Sequence, residues 1–342
     1  MTTAMQGMIQ LAVLDPMLYG AARAFDYLGV RGQDMLDRIG EGIIEYGLSE
    51  GYFEKANDPH QFVGNVVKFF IQNGYMSNVT VSQSGDTLDI AMWNWRFLPL
   101  LRKLRNRNSY LLTCPVCIAN NAITKSVGGV SERISENVTS DGTYSMKVKI
   151  VPGTTNTQST VVFAHPADLT KNKIKSQLNE SVGLAAFETV AYGLACGFEY
   201  LGAQAQLILD NIGTEMLEFM REESNLELPD DIEGSLETLS TFMASKGLAD
   251  NISVKHSPNR VDVVFTNYHY LPVLKRSLTK GRSLVSCPFT LTARAAVRNK
   301  GLRVGDMKWQ IGTNDARLAM TTLDTDHQQF DESAVSKIMD HA

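Results

Sequence analysis

The chain repeats itself. Displaced by 173 residues, Tyr19-Gly20 falls on Tyr192-Gly193, Phe25 on Phe198, and Ile39-Gly40 on Ile212-Gly213. Without a gap, the same displacement brings Glu45 onto Glu218, Gly74 onto Gly247, Asn78 onto Asn251 and Asp89 onto Asp262. It continues through Asn94 and Asn267, Leu98-Pro99 and Leu271-Pro272, and Cys114-Pro115 and Cys287-Pro288. A register kept over about 110 residues is not accidental, and it constrains the fold more than any composition does. The expectation is two tandem copies of one domain, at residues 8–151 and 181–324. A Thr-, Asn-, Ser- and Lys-rich linker at 152–180 joins them, with one short strand at Thr160–Ala164, and a polar tail follows at 325–342.

Within each unit the pattern reads the same way. Apolar residues recur at helical spacing over Tyr19–Gly29 and Asp34–Gly47, and again over Tyr192–Gly202 and Gln206–Met220. A third helix is predicted at Gln61–Asn73 and at Leu236–Lys246, stopped by Gly74 and Gly247. A hairpin then alternates apolar and polar residues, Asn78–Gln83 with Thr87–Trp95 and Asn251–His256 with Arg260–Tyr268. Short helices follow near Pro99 and Pro272, and the Cys-Pro pairs open another helix with proline in its tolerated first turn. Two strands close each unit, clearest at Thr143–Val151 and Arg317–Leu323. Helices first and an antiparallel sheet after them make the predicted class α+β. The apolar N-terminus, Met1 to Leu14, lacks a basic region and a cleavage site, so it is expected to be an amphipathic opening helix.

Composition narrows the function classes. With 32 Lys plus Arg against 37 Asp plus Glu, the net charge of −5 argues against a protein that coats nucleic acid or an anionic membrane. Four irregularly spaced cysteines do not staple a secreted fold, which points to the cytoplasm, and no segment reaches the roughly 18 apolar residues of a membrane span. Phosphate-binding loops, dinucleotide fingerprints and hydrolase elbows are absent from the sequence, so non-catalytic work is expected.

Three groups of residues carry candidate chemistry. Trp93, Trp95 and Phe97 alternate along the predicted strand, as Thr266, Tyr268 and Tyr270 do in the second unit, with Arg96 and His269 between them. Large rings with polar tips suit a pocket for a small hydrophobic or aromatic molecule, and equally suit a sheet face packed on helices. Cys114, Cys117 and Cys287 could form a thiol site at a helix N-terminus, where thiolates are favoured, or pack as small apolar side chains. Basic residues gather at Arg96, Arg102, Lys103, Arg105 and Arg107, and at Lys275, Arg276, Lys280 and Arg282. They could dock an anion or an acidic partner, or form a solvated face, as Glu222-Glu223 and Asp230-Asp231 are expected to do.

The hairpin, the Cys114-Pro115-Val116-Cys117 and Cys287-Pro288-Phe289 helix starts, a glycine and two closing strands together resemble the 4-vinyl reductase domain, also called the hydrocarbon-binding domain. That family is related in fold to subunits of the vesicle-tethering transport particle and to haem-NO-binding-like domains. The resemblance implies a hydrophobic-ligand pocket between helices and sheet, a sensor or carrier role with a separate protein partner for output, and dimers. Fused copies would pack as an intramolecular pseudo-dimer. It also implies a zinc site, for which Cys117 and Glu136 match two ligands. The other two cysteines are missing, and Thr290 stands where Cys117 does in the second unit, so no metal or other cofactor is expected. A scaffold or adaptor with a filled pocket is the alternative, and an accessory role in tetrapyrrole metabolism, after the family's name, a third.

Overall fold

In a computed structural model of the chain, residues 7–26, 28, 30–109, 113–126, 128–138, 143–152, 180–200, 205–282 and 286–324 are described. The predicted strand at Thr160–Ala164 and the tail at 325–342 lie outside them. Ten elements run from β1 (Met8–Gln10) through α1 (Leu11–Asp26), α2 (Val30–Ser49), α3 (Pro59–Gln72), β2 (Asn78–Ser84), β3 (Thr87–Trp93), α4 (Leu98–Asn106), α5 (Pro115–Ser126) and β4 (Gly129–Val138) to β5 (Tyr144–Pro152). Ten more follow in the same order: β6 (Ser181–Gly183), α6 (Leu184–Tyr200), α7 (Ala205–Ser224), α8 (Ile232–Ser245), β7 (Asn251–Ser257), β8 (Arg260–Thr266), α9 (Leu271–Thr279), α10 (Pro288–Asn299), β9 (Leu302–Ile311) and β10 (Ala316–Asp324). The class is α+β, with small antiparallel sheets ordered β2-β3-β5-β4 and β7-β8-β10-β9.

Local chemistry accounts for the boundaries. Asp58 and Asp231 cap α3 and α8 by accepting backbone N–H groups of the first turn. Gly74 and Gly247 end the same helices at φ +73° and +90°, a conformation that costs glycine little. Asn94 and Asn267, both at φ +47°, stop β3 and β8. Proline opens α5 and α10 where its missing N–H is not needed.

The N-terminal expectation needs correction. Met8–Gln10 is a strand, paired antiparallel with β6 through Met8 to Gly183, Ile9 to Val182 and Gln10 to Ser181. Its helix-like apolar pattern is overridden because β6, some 170 residues away, supplies the hydrogen bonds. The helix starts only at Leu11 and keeps Pro16 inside it.

The core is built across the halves. Helix α1 packs on α7 and α2 packs on α6, so each half's first helix lies on the other half's second. Small residues permit this approach. The α-carbon hydrogens of Gly20 and Gly193 face the carbonyl oxygens of Ile212 and Ile39, where an added Cβ would sit at 2.6 and 2.7 Å. Helix α5 backs α2 and α3, and α10 backs α7 and α8. Among the described residues no helix is long and apolar enough to cross a membrane.

Candidate functional site

The predicted aromatic row does not share one face. Strand β3 ends at Trp93, and the left-handed Asn94 turns the chain before Trp95. Met92 is buried, so Trp93, next in the alternation, points the other way and is half-buried. Trp95 and Phe97 are buried, and their rings touch: Trp95 lies 5.3 Å from Phe97 and 4.5 Å from Tyr144, centroid to centroid. In the second half Asn267 has the same effect, leaving Thr266 exposed while Tyr268 and Tyr270 turn inward. Tyr268 stacks on Phe265 at 4.3 Å and lies parallel to Trp309 at 6.4 Å. Tyr144 and Trp309 sit on the closing strands, too far along the chain for the local pattern to bring in.

The polar tips differ between the halves. Tyr268 donates its hydroxyl hydrogen to Cys287 Sγ at 2.8 Å, and Tyr270 shares a 2.8 Å hydrogen bond with Ser286, which donates to Ala191 O. In the first half Trp95 Nε1, Tyr75 Oη and Asp15 Oδ1 are buried without a partner among the described residues. Burial holds the phenols of Tyr75, Tyr268 and Tyr270 above their usual range, so they act as neutral donors. Tyr75 lies within the electrostatic reach of Cys114, Asp15 and Cys117.

Arg96 and His269 have a local job. Arg96 Nε donates to Gly74 O at 3.4 Å, and His269 Nδ1 donates to Gly247 O at 2.7 Å, tying the ring segment to the end of the third helix. The thiols are not activated. Cys114 and Cys287 are fully buried and desolvation raises both, against the lowering expected of a helix N-terminus. Cys287 instead accepts from Thr290 N at 3.5 Å as the cap of α10. Glu136 faces Arg105 Nη2 at 3.5 Å. Among the described residues no group of three or more His, Cys, Asp or Glu side chains is placed to hold a metal.

The basic stretches are partly exposed, with Arg107, Lys275 and Lys280 at the surface, as are Glu222-Glu223, but most of these charges are paired. Lys103 reaches Glu222 at 2.6 Å and Glu223 at 2.7 Å, and Arg107 reaches Glu218 at 3.2 Å. Across the seam Arg276 pairs with Glu50 at 3.1 Å, Lys280 with Glu45 at 3.5 Å and Arg282 with Glu45 at 3.7 Å, while within the second half Arg282 pairs with Glu199 at 2.6 Å. Displaced by 173, Lys103–Glu223 becomes Arg276–Glu50, and Arg107–Glu218 becomes Lys280–Glu45. Lys103 lies over Tyr19 and Phe219 as Arg276 lies over Tyr192 and Tyr46. The ring pairs beneath follow suit: Tyr19–Phe219 at 5.0 Å, Tyr46–Tyr192 at 4.9 Å, and Phe25–Phe198, a pair that maps onto itself, at 6.4 Å. Arg102 is half-buried on α4, Arg105 donates to Ser109 O, and Lys275 donates to Thr313 O within its own half.

One substitution breaks this correspondence. Arg23 bridges Asp26, Glu215 and the carbonyl of Arg107. Cys196 holds its register position, and beside it lies an open groove of about 360 Å³ lined by Arg38, Glu41, Glu45, Glu199 and Arg282. Two buried acids also escaped the sequence reading, Asp15 and, 173 residues on, Glu188. Glu188 accepts from Tyr52 at 2.8 Å and Tyr46 at 3.3 Å, yet desolvation pushes its carboxyl up to about 7. Burial holds Asp15 well above the usual carboxylate range. The available signal was a lone acid inside each apolar run, Leu11–Tyr19 and Leu184–Tyr192. Compared with known proteins, the chain matches no family by sequence profile, no curated protein and no solved structure.

Proposed function

We propose that the chain is a non-catalytic adaptor: two copies of one 4-vinyl-reductase-like domain, fused in tandem and held as an intramolecular pseudo-dimer, which acts through its surface. The observation that carries this is the interior. In both halves the rings expected to line a ligand pocket touch one another, and in the second half their hydroxyls are satisfied by protein atoms. Support for the pseudo-dimer comes from the seam, whose ion pairs and ring pairs exchange under the 173-residue displacement as the two sides of an isologous interface do. Fusion keeps such a partner at high effective concentration. A cytoplasmic setting suits the four free cysteines.

The test is purification of the intact chain from its host, followed by absorbance and native mass spectrometry. The expected result is the mass of the unliganded chain with no chromophore or lipid. A stoichiometric bound molecule would overturn the adaptor reading.

A second reading keeps the sensor or carrier role, and one observation favours it. Trp95 Nε1, Tyr75 Oη and Asp15 Oδ1 are buried donors or acceptors without partners among the described residues, and such groups are rare in native interiors. A hydrophobic or aromatic molecule with a polar group, a tetrapyrrole among them, would satisfy them. Under that reading Tyr75→Phe lowers the occupancy of a co-purified ligand and leaves the fold intact.

A further inference from the structure

The second half carries an open shelf that the first half covers with its own rings. In the first half Phe69, on α3, is covered by Tyr52, stacked at 5.5 Å and 10°, and by Phe53, edge-on at 5.5 Å. Its register equivalent on α8 is Phe242, half-buried and without a ring–ring contact among the described residues. The loop explains the difference. Tyr52 N–H donates to Gly47 O at 2.8 Å, and Leu226 N–H donates to the equivalent Met220 O at 3.3 Å, each after a left-handed residue, Gly51 or Asn225. Leu226 therefore holds the place of Tyr52. From there the chain takes five steps to the helix cap Asp231, against six from Tyr52 to Asp58, and none of these residues is aromatic, so no ring plays the part of Phe53. What remains is a groove of about 560 Å³ lined by Leu226, Pro229, Thr238, Thr241 and Phe242.

Charge identifies the occupant. Residues 222–245 contain seven acids and no lysine or arginine. Glu222 and Glu223 are engaged by Lys103, while Glu237 lines the groove and Glu227, Asp230, Asp231 (the cap of α8) and Glu233, all exposed, lie within a few residues of its lining. The Phe242 ring already has one cation beside it, Lys246 Nζ at 5.7 Å from its centroid.

We infer that this groove docks a segment of a partner protein in which an aromatic side chain is flanked by lysine or arginine. The ring takes the place over Phe242 that Tyr52 and Phe53 take over Phe69, and the flanking cations meet the acidic rim. The inference deepens the adaptor reading and rests on it.

The probe is a short fluorescein-labelled peptide with a central Phe among Lys and Arg, titrated with the full chain and followed by anisotropy. Binding should weaken about tenfold or more when the peptide's Phe becomes Ala, and when Thr241→Trp fills the groove from its exposed rim. Glu233→Lys with Glu237→Lys should do the same. Thermal melting of each variant checks that the fold is retained. The inference is overturned by absence of binding, by equal affinity for the Ala peptide, or by indifference to Thr241→Trp. It is overturned too by self-association that Thr241→Trp abolishes, which would assign the groove to a second copy. A ligand found in the interior alongside an intact peptide response would count against the closed interior alone.

Discussion

Gly193→Ala should destabilise the protein, although alanine is the better helix former. On α6 the new Cβ would stand 2.7 Å from Ile39 O and 2.7 Å from Ile43 Cγ1 of α2. A backbone oxygen cannot rotate away. Moving from 2.7 Å to the 3.4 Å at which ordinary contact begins requires the two helices to part locally by about 0.7 Å. One turn on, Gly197 also packs against Ile39, its added Cβ falling at 2.6 Å, so the separation cannot be confined to one residue. Overpacking of this kind costs about 1–3 kcal/mol, and alanine returns about 1 kcal/mol of helix propensity. The net expectation is a loss of up to about 2 kcal/mol. Gly64 is the control: it lies inside α3 with nothing within 4 Å of its added Cβ, so Gly64→Ala should gain about 0.5–1 kcal/mol. Urea unfolding followed by circular dichroism measures both from midpoints at a common slope. The reasoning fails if Gly193→Ala is as stable as the wild type or more so. It fails also if Gly20→Ala, whose added Cβ meets Ile212 O at 2.6 Å, differs from Gly193→Ala in sign.

Glu188 predicts a pH dependence. Its carboxyl is raised from 4.5 to about 7, so between those values the folded state holds more protons than the unfolded one, and stability falls as pH rises through that window. The fall approaches about 3 kcal/mol, and Glu188→Gln should remove it; equal slopes for variant and wild type between pH 5 and 7 would contradict this. Arg294 is buried and leans on Asp210 at 2.6 and 2.9 Å, so Asp210→Ala should cost about 3 kcal/mol by stranding a buried charge. Asp37→Ala, at the equivalent position beside the more exposed Lys125, should cost about 1 kcal/mol or less in the same unfolding assay. Cys114 and Cys287, buried and raised, should resist a thiol reagent in the native protein and react only on unfolding, which absorbance at the released chromophore reads directly.

Local chemistry was legible in the sequence because its causes lie within a few residues. Gly74 and Gly247 mark helix ends and hairpin alternation gives β2 with β3 and β7 with β8, whereas the caps Asp58 and Asp231, which start α3 and α8 two to four residues before the predicted Gln61 and Leu236, were not read. The candidate site was legible only in part. Trp95, Phe97, Tyr268 and Tyr270 could be singled out as a set, but the rings that Trp95 and Tyr268 meet, Tyr144 and Trp309, come from strands about 40–50 residues further on. The strand pattern also concealed Asn94 and Asn267, whose left-handed backbone turns each row and puts Trp93 on the opposite face.

The basic stretches teach the same lesson with charges. Lys103, Arg107, Arg276 and Lys280 read as unpaired because each helix shows only its own face, while the carboxylates that meet them, Glu45, Glu50, Glu218, Glu222 and Glu223, sit on α2 and α7 or just past the end of α2, in the other half. By itself the sequence determined the α+β class, the order of the helices and hairpins and the 173-residue register, all properties of short-range sterics and periodicity, but not β1 and β6, whose pairing spans the chain. Only the tertiary structure decided which helix lies on which, that the rings close on one another, and that Phe69 is covered while Phe242 is open. Those outcomes depend on side chains that meet across about forty to more than two hundred residues, or on a loop that carries no ring, and neither leaves a periodic trace along the chain.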